Sequence, residues 1–359
     1  MRNARYTRLD RFQHAILPDR LIMNHSRFDV VAIGNAIMDV LAYVDDAFLT
    51  THALRKGTMR LIDVDQADYL YNNMQSTIEY SGGSAANTAV GLAALGGQAA
   101  FIGKVADDPL GRAFSDEINS CGVHFTTSLL QGGPSTAYCL VLVTPDAQRT
   151  MNTYLGACLT LQPDDIDLDL VQSAQITYLE GYQWDLPRAK EVMQRAAQAA
   201  LASGGKVALS LSDCLCVDRH RAEFLDWVRY HIDILFANEI EIMSLYQVST
   251  FDEALRAARE YGTTVALTRG EKGSVIATTD SVHVICAEPV TSIVDTTGAG
   301  DLFAAGFLYG LTRDRPAALC ARLGSLCAAE VISHFGVRPI QSLVDLAKMR
   351  LPELRDLSW

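Results

Sequence analysis

The chain has 359 residues, of which 49% are apolar and 20% are charged, and its formal net charge is −12. This length and composition are typical of a soluble enzyme with one large domain and a smaller appendage, or with two domains. The acidic balance argues against a nucleic-acid partner, and no run of roughly 18 to 20 apolar residues is present to span a bilayer. The eight cysteines lack metal-ligand spacing, so we predict reduced thiols in a cytoplasmic protein that binds neither nucleic acid nor membrane.

Residues 1–26 differ from the rest of the chain because they carry five arginines and no apolar core long enough for a secretory signal. Met23 lies just before the first clear strand. We therefore expect residues 1–26 to be a disordered or non-native extension and exclude them from the fold.

Residues 28–34 form a short apolar, β-branched run that ends in Gly34, a pattern typical of a buried parallel strand. Asp39 follows shortly after, and ligands of open α/β sheets bind beyond the carboxyl ends of strands. Residues 40–61 alternate irregularly, which predicts strands and no helix. We interpret them as a small β excursion from the strand–helix rhythm.

A glycine-rich loop precedes the next helix. Gly82 and Gly83 predict a tight turn, Ser84 is suited to be an N-cap, and residues 85–95 predict a helix of small residues. Asn87 falls in the first turn of that helix. It is either a satisfied polar residue of the helix start or a ligand contact.

Two segments around residues 144–148 alternate like the arms of a hairpin, namely 136–143 and 150–154. They could pair with residues 40–61 to form one lid sheet. From residue 175 onward, strands and helices alternate regularly, which predicts a mostly parallel sheet covered by helices on both faces. The predicted strands are 176–179, 206–211, 234–237, 264–268 and 273–278, and the clearest helix is 187–202.

Polar residues follow two of these strands. Asn238 and Glu241 are spaced i and i+3 after strand 234–237, which suits either an oxygen-ligand Mg²⁺ site or an ordinary acidic helix start. The loop 268–273 ends the following strand. It could hold a nucleotide by its backbone, or it could be a plain hairpin turn.

The stretch Asp295-Thr-Thr-Gly-Ala-Gly-Asp301 precedes an apolar helix. A helix start binds anions through N–H groups that lack intrahelical partners, and glycines leave the backbone open to close approach. Asp301 is either the N-cap of this helix or a base beside an anion hole. Together with the features above, the stretch predicts phosphoryl transfer by an enzyme without a Walker-type P-loop.

These motifs resemble the PfkB (ribokinase-like) family of carbohydrate and nucleoside kinases, over residues 28–345. Residues 295–301 resemble its carboxyl-terminal signature and residues 81–96 its amino-terminal one. The resemblance implies that Asp301 is the catalytic base and that the backbone of Gly298, Ala299 and Gly300 forms the anion hole.

The resemblance also implies the binding residues. The acceptor would be held by residues of the first loops and of the lid: Asn35, Asp39, Gly82, Gly83, Asn87, Arg149 and Tyr154. ATP would contact Asn238, Thr268, Gly270, Gly273, Gly298 and Gly300. Mg²⁺ would be tied to Asn238 and Glu241. Asp295 and Thr297 match residues that bind a monovalent cation in several members, which leaves open whether this chain uses K⁺.

Residues 34–39 and 151–157 look most similar to bacterial members of the adenosine-kinase type. We therefore predict ATP- and Mg²⁺-dependent phosphorylation of a nucleoside 5′-hydroxyl, with adenosine as the acceptor. The alternatives are a ribokinase- or fructokinase-type sugar kinase, an inosine, guanosine or cytidine kinase, and a non-catalytic nucleoside-binding protein. Phe48 and Tyr138 are further candidates, beside Tyr154, for the contacts to the base.

The predicted fold is a ribokinase-like three-layer α/β/α sandwich with a small β lid. The core comprises residues 27–41, 62–136 and 156–345, the lid residues 42–61 and 137–155, and residues 346–359 a carboxyl-terminal tail or helix. We expect a monomer or a homodimer.

Overall fold

The computed structural model of the protein describes residues 27–75, 77–146, 148–186 and 188–354, so the predicted extension 1–26 lies outside the described residues. The strands, in chain order, are β1 (Phe28–Ile33), β2 (Ile37–Tyr43), β3 (Met59–Leu61), β4 (Ile78–Gly82), β5 (Ala99–Ile102), β6 (Val123–Phe125), β7 (Ala137–Val143), β8 (Arg149–Tyr154), β9 (Ala174–Glu180), β10 (Lys206–Ser210), β11 (Ile234–Asn238), β12 (Thr264–Thr268), β13 (Ser274–Ala277) and β14 (Val282–Ile285).

The helices, in chain order, are α1 (Asp46–Thr51), α2 (Val64–Asn73), α3 (Ser84–Ala94), α4 (Pro109–Ser120), α5 (Leu168–Gln172), α6 (Ala189–Ala202), α7 (Cys214–Tyr230), α8 (Glu239–Tyr246), α9 (Phe251–Ala258), α10 (Ala299–Leu311), α11 (Ala317–Val331) and α12 (Leu343–Arg350). No helix within the described ranges is long and apolar enough to cross a membrane. All eight cysteines lie in the described part of the chain, and none forms a disulfide there.

The larger sheet has nine described strands in the order β14-β13-β12-β11-β10-β9-β1-β5-β6. Neighbouring strands from β6 to β12 pair in parallel, and the pairings of β12 with β13 and of β13 with β14 are antiparallel. One face of the sheet buries apolar residues of α3, α4, α10, α11 and α12, and the other buries those of α5 to α9. The predicted α/β architecture with helices on both faces of a mostly parallel sheet is confirmed.

The carboxyl ends of the parallel strands position the site. Because neighbouring parallel strands end at the same edge of a sheet, the loops after β1, β9, β10, β11 and β12 meet there. The helices α7 and α8 begin at this edge, each capped by the residue before it, Asp213 and Asn238. The amino termini of α7 and α8 therefore lie at the same edge of the sheet, and helix amino termini favour bound anions.

The second sheet has five strands in the order β3-β8-β7-β2-β4. It is larger than the predicted lid segments, because β2 begins at residue 37 and β4 adds residues 78–82. The prediction of strands alone over 40–61 is wrong, because α1 lies within that range. Asp45 begins the helix by accepting the Phe48 backbone N–H at 2.7 Å, a capping signal that the irregular alternation concealed.

The two faces of this sheet differ in what covers them. Helices α1 and α2 pack their apolar residues, including Leu49 and Leu70, over one face. The other face carries a separate apolar cluster of Leu41, Cys139, Val141 and Val143. We call the first the outer face and the second, which carries Asp39 and Arg149, the inner face.

Candidate active site

Asp301 lies in the first turn of α10, where its carboxylate is held by two donors from another helix. The Ser84 hydroxyl donates to Oδ1 at 2.7 Å, and the Asn87 side-chain amide donates to Oδ2 at 3.0 Å. Burial raises the pKa of Asp301, while the two hydrogen bonds and the positive charge of Arg338 oppose the rise. Asp301 is not the N-cap of its helix, because Gly298 occupies that position.

Ser84 and Asn87 reach Asp301 because α3 begins one residue earlier than its capping pattern indicated. The N-cap is Gly83 and not Ser84, so Ser84 is the first helical residue. Its hydroxyl is therefore free to point across to α10. Close packing between α3 and α10 makes this contact possible: a Cβ on Gly91 would lie 2.6 Å from the Leu302 side chain.

The amino terminus of α10 has the backbone geometry expected of an anion site. Gly298 adopts φ +75°, a conformation that side chains rarely allow, and a Cβ there would lie 3.0 Å from Val337. A Cβ built on Gly300 meets nothing within 4 Å, so the backbone at that position borders open space. The first N–H groups of a helix have no intrahelical acceptor. They can therefore bind an anion next to the Asp301 carboxylate.

Asp39 reaches the site from the lid. It lies within β2 of the second sheet, and not in the core just beyond the end of β1 as predicted, in register with Tyr80 of β4 and Cys139 of β7. Burial raises the pKa of Asp39 to about 7, and the charge of Asp301 adds to the rise, whereas Arg338 and Arg149 lower it. A Cβ on Gly82 would lie 2.4 Å from Oδ2 of Asp39, so a side chain at residue 82 would displace the Asp39 carboxylate.

The predicted contact Asn35 is buried beneath the site and bound to a buried carboxylate. Its side-chain amide donates to Oε1 of Glu180 at 3.0 Å, and its Oδ1 accepts from Gln183 at 2.7 Å. Glu180 also accepts the Ala85 backbone N–H at the start of α3, at 2.9 Å. A Cβ on Gly83, where φ is +97°, would lie 2.1 Å from the Asn35 carbonyl oxygen. These contacts set the position of the α3 amino terminus.

Arg338 connects the lid to the core beside Asp301. Its Nη1 donates to Oδ1 of Asn87 at 2.9 Å, and its Nη2 donates to the hydroxyl of Ser81 at 2.7 Å and to the Ser81 carbonyl. Its Nε lies 3.5 Å from Glu117. The guanidinium therefore holds the end of β4 against α3.

Arg149 makes a second connection from the lid, to the loop before α10. Its guanidinium donates to Oδ2 of Asp295 and to the hydroxyl of Thr297. The Asp295 carboxylate also accepts the backbone N–H groups of Thr297 at 2.9 Å and of Gly336 at 3.2 Å. The structure brings Arg149, Asp295 and Thr297 together at the start of α10.

Asn238 and Glu241 form a reciprocal capping box at the start of α8. Asn238 Oδ1 accepts the Glu241 N–H at 2.8 Å, and Glu241 accepts the Asn238 backbone N–H at 2.9 Å and its side-chain amide at 2.6 Å. Burial raises the pKa of Glu241 to about 7, and the nearby Asp213 charge adds to the rise. The oxygen donors of this pair fit the preference of Mg²⁺.

The segment 268–273 is a hairpin between β12 and β13. Thr268 pairs with Ser274 across it and with Asn238 on the other side, so the hairpin lies next to the capping box. Gly270 and Gly273 have φ of +56° and +82°, and a Cβ on Gly273 would lie 2.0 Å from the Ile285 carbonyl oxygen. The glycines make the turn, and the hairpin borders the same sheet edge as α8.

Tyr154 lies on the outer face of the lid, opposite Asp39. It pairs with Tyr138 across the strands, with ring centroids 5.5 Å apart, and the Tyr138 hydroxyl donates to Asp68 of α2 at 2.8 Å. Phe48 packs in the same outer cluster. Tyr154 therefore points away from Asp39, because side chains alternate between the faces of a strand, and its role as a substrate contact stays a prediction.

The inner face offers an apolar surface beside Asp39. Its buried residues are those of the inner cluster defined above, and its partly buried rim consists of Ile37, Tyr80, Met151 and Phe335. The Tyr43 ring stacks on Phe335 with centroids 5.8 Å apart. An apolar surface next to convergent polar groups is typical of a small-molecule site.

The site contains three residues for which the sequence predicts no catalytic or binding role. They are Ser84, Glu180 and Arg338. The sequence pattern predicts Ser84 as a helix cap, but its hydroxyl donates instead to Asp301, 217 positions away. Arg338 belongs to no recognisable motif, and it acts through partners 251 and 257 positions away. An arginine beside a Gly-Val pair carries no local signal of such contacts.

The chain is similar in sequence and in fold to known kinases. The model of the pfkB family of carbohydrate kinases matches residues 27–343. The adenosine kinase from Sinorhizobium meliloti, known from a crystal structure, is 47% identical in sequence to this chain. Its structure matches with a TM-score of 0.84, over 90% of this chain and 99% of that one. The crystal structure of a probable sugar kinase from Rhizobium etli matches with a TM-score of 0.85 and 46% sequence identity. The match covers 90% of this chain and 98% of the Rhizobium chain.

A more distantly related protein also matches along most of its length. The adenosine kinase of Saccharomyces cerevisiae is 28% identical over 329 residues, which cover 86% of this chain and 95% of the yeast protein. The predicted ribokinase-like fold and the resemblance to bacterial adenosine kinases are confirmed. The chain therefore belongs to the pfkB family of carbohydrate kinases and is a kinase for a nucleoside or a sugar.

Proposed function

We propose that this kinase transfers the γ-phosphoryl group of ATP to the 5′-hydroxyl of adenosine. The observation that carries the proposal is the Asp301 carboxylate, held by Ser84 and Asn87 at the start of α10 and faced by Asp39 from the lid. The 47% identity to an adenosine kinase over nearly the whole of both chains supports the choice of acceptor.

Asp301 is the proposed base. It takes the proton of the acceptor hydroxyl as the oxygen attacks the γ-phosphorus, while the bond to the β-phosphate oxygen breaks and ADP leaves. Burial, by raising the pKa of Asp301, makes the carboxylate a better proton acceptor. The backbone of Gly298, Ala299 and Gly300 supplies the charge stabilisation that phosphoryl transfer requires.

Asp39, Gly82, Gly83 and Asn87 are the proposed ribose contacts. A carboxylate accepts hydrogen bonds from two vicinal hydroxyls, and the glycines let the sugar approach the backbone. The Asn35 side chain donates a hydrogen bond to Glu180, and Glu180 accepts the Ala85 backbone N–H at the start of α3. Asn35 thus supports the position of the α3 amino terminus. We therefore assign Asn35 to the support of the ribose site.

The inner face of the lid is the proposed base pocket. Leu41, Val141 and Met151 offer an apolar surface beside Asp39, whereas a free sugar has no group that would use it. This observation favours a nucleoside over a sugar. A sugar acceptor is the alternative, and the relative described as a probable sugar kinase keeps it open.

ATP is proposed to lie along the sheet edge between the α10 amino terminus and the hairpin at Thr268, Gly270 and Gly273. Asn238 and Glu241 would hold Mg²⁺ through its waters, because the capping box already engages their oxygens directly. Bound Mg²⁺ neutralises charge on the transferring phosphoryl group. Closure of the lid excludes water and so protects ATP from hydrolysis.

The test is ADP release with ATP and Mg²⁺, measured in parallel with adenosine, inosine, guanosine, cytidine, ribose and fructose. We expect the highest kcat/KM with adenosine, and AMP as the product. A higher kcat/KM with a free sugar would contradict the choice of acceptor while leaving the role of Asp301 intact. Nucleoside binding without turnover on any acceptor would favour a non-catalytic protein.

A further inference from the structure

A buried ion pair joins the lid to the loop before α10. Arg149, the first residue of β8, donates to the carboxylate of Asp295 and to the hydroxyl of Thr297. The Asp295 side chain is 1% exposed and that of Arg149 is 13% exposed. The guanidinium thus lies on the two side chains that the family resemblance connects with a monovalent cation.

The surroundings fix the guanidinium in this position. Its central carbon lies 4.9 Å from the centre of the Phe335 ring, a distance typical of a cation–π contact. The two Asp295 oxygens also accept the backbone N–H groups of Thr297 and Gly336. The carboxylate is therefore surrounded by donors, and its charge is neutralised by the chain itself.

A free monovalent cation does not fit beside this arrangement. It would need the same Asp295 and Thr297 oxygens, and it would lie next to a positive charge from which water is largely excluded. Two like charges at such distances repel strongly when solvent screening is weak. Burial lowers the pKa of the Arg149 guanidinium to about 10, but the side chain stays protonated near neutral pH, so it offers no neutral state there that would admit the ion.

We propose that the Arg149 guanidinium takes the place of the monovalent cation at Asp295 and Thr297, so that the kinase works without K⁺. Because Arg149 belongs to the lid, the same contact links the position of the lid to the loop that forms the anion hole. Thr297 directly precedes Gly298, the N-cap of α10. The effect on turnover rests on the proposed function, whereas the effect on cation binding does not.

The test compares wild type with Arg149→Gln in K⁺, Na⁺ and choline chloride at constant ionic strength. Thermal unfolding is followed for each protein, and ADP release is measured in the same buffers. Arg60→Gln serves as the matched control, because Arg60 is an arginine of the same sheet that binds Asn152 instead. Arg149→Lys, which retains a positive charge, is the second variant.

We expect the Tm and kcat of wild type, Arg60→Gln and Arg149→Lys to be the same in K⁺ and choline, within about twofold for kcat. Arg149→Gln should lose about tenfold in kcat. K⁺ should recover part of that loss and raise the Tm of this variant by about 2 °C or more.

A wild-type Tm or kcat that rises with K⁺ but not with choline would overturn the proposal. So would a folded Arg149→Gln protein whose Tm is unaffected by K⁺. If Arg149→Gln fails to fold, the wild-type and Arg149→Lys comparisons still decide the question. Because the Tm does not require turnover, failure of the proposed function would be recognised separately, as absence of ADP release from wild type in every buffer.

Discussion

Arg338 donates from Nη1 to Oδ1 of Asn87 at 2.9 Å, and this bond fixes which way the Asn87 amide points. With its oxygen engaged by a guanidinium, the amide presents its NH₂ group to Oδ2 of Asp301 at 3.0 Å. Arg338 thereby acts on the proposed base through Asn87, and its charge also lowers the pKa values of Asp301 and Asp39.

Arg338→Gln should therefore lower kcat by about tenfold, which corresponds to about 1.4 kcal/mol of transition-state stabilisation. Removal of the positive charge raises the pKa values of both carboxyl groups, so the acid limb of the kcat/KM profile should move to higher pH. The surface variant Arg322→Gln, which removes an ion pair to Glu353, is the control. An unchanged pH profile in a folded Arg338→Gln protein would contradict the positioning role.

The two faces of the lid give a second prediction, on acceptor binding. Val141→Phe places extra volume on the inner face and should raise KM for adenosine by about tenfold or more, with a smaller effect on a free sugar. Tyr154→Phe alters the outer face and should leave KM within about twofold. Steady-state kinetics with adenosine and ribose measures both; a larger KM effect from Tyr154→Phe would place the base on the other face.

Glu180 gives a third prediction, on the pH dependence of stability. Burial raises its pKa from 4.5 to about 7, so between these values the folded protein binds more protons than the unfolded chain, and stability falls as pH rises. At about 1.36 kcal/mol per pKa unit, the loss of stability is at most about 3 to 4 kcal/mol. Glu180→Gln removes this titration.

The measurement for Glu180 is thermal unfolding from pH 5 to pH 8. The difference between the Tm of Glu180→Gln and the Tm of wild type should increase as pH rises, because only wild type loses stability through this titration. The exposed variant Glu191→Gln should follow wild type at every pH. A constant difference between Glu180→Gln and wild type across this range would show that Glu180 is charged in the folded protein well below pH 7.

Glu241→Gln separates the capping role of this residue from the proposed metal role. Glutamine also completes a capping box, so the Tm should change little. Loss of the carboxylate should raise the Mg²⁺ concentration for half-maximal activity by about tenfold. Glu253→Gln is the matched control, because Glu253 holds the equivalent capping position in α9. If both variants have the wild-type Mg²⁺ dependence, Glu241 is a cap alone.

Local patterns in the sequence were enough to predict the elements of the core. Strand β12 occupies its predicted range and β11 exceeds its range by one residue, because each is a short apolar run, which indicates a buried strand from local residues alone. Helix α1 was missed because it is only six residues long, and its Asp45 cap was set among irregularly alternating residues.

Contacts between distant segments could not be predicted in this way. Whether Tyr154 faces the substrate depends on its register with Tyr138 and on the face that α1 and α2 cover, which are tertiary properties. The family motifs placed Asp301 at a helix start, but Ser84 and Arg338 reach their partners only through the packing of α3, α10 and β4. Roles inferred from the motifs, such as those of Asp39 and Arg149, stay predictions.

The most direct test of the account is the turnover of Asp301→Asn with adenosine, ATP and Mg²⁺, measured by ADP release beside wild type. Asparagine retains the shape and a hydrogen-bond acceptor for Ser84 but cannot take a proton, so kcat should fall by about 10²- to 10⁴-fold. The Tm should stay close to that of wild type, because the gain from no longer burying a carboxylate is opposed by loss of the hydrogen bond that the Asn87 amide donates to Oδ2. A kcat near that of wild type in the folded variant would contradict Asp301 as the base.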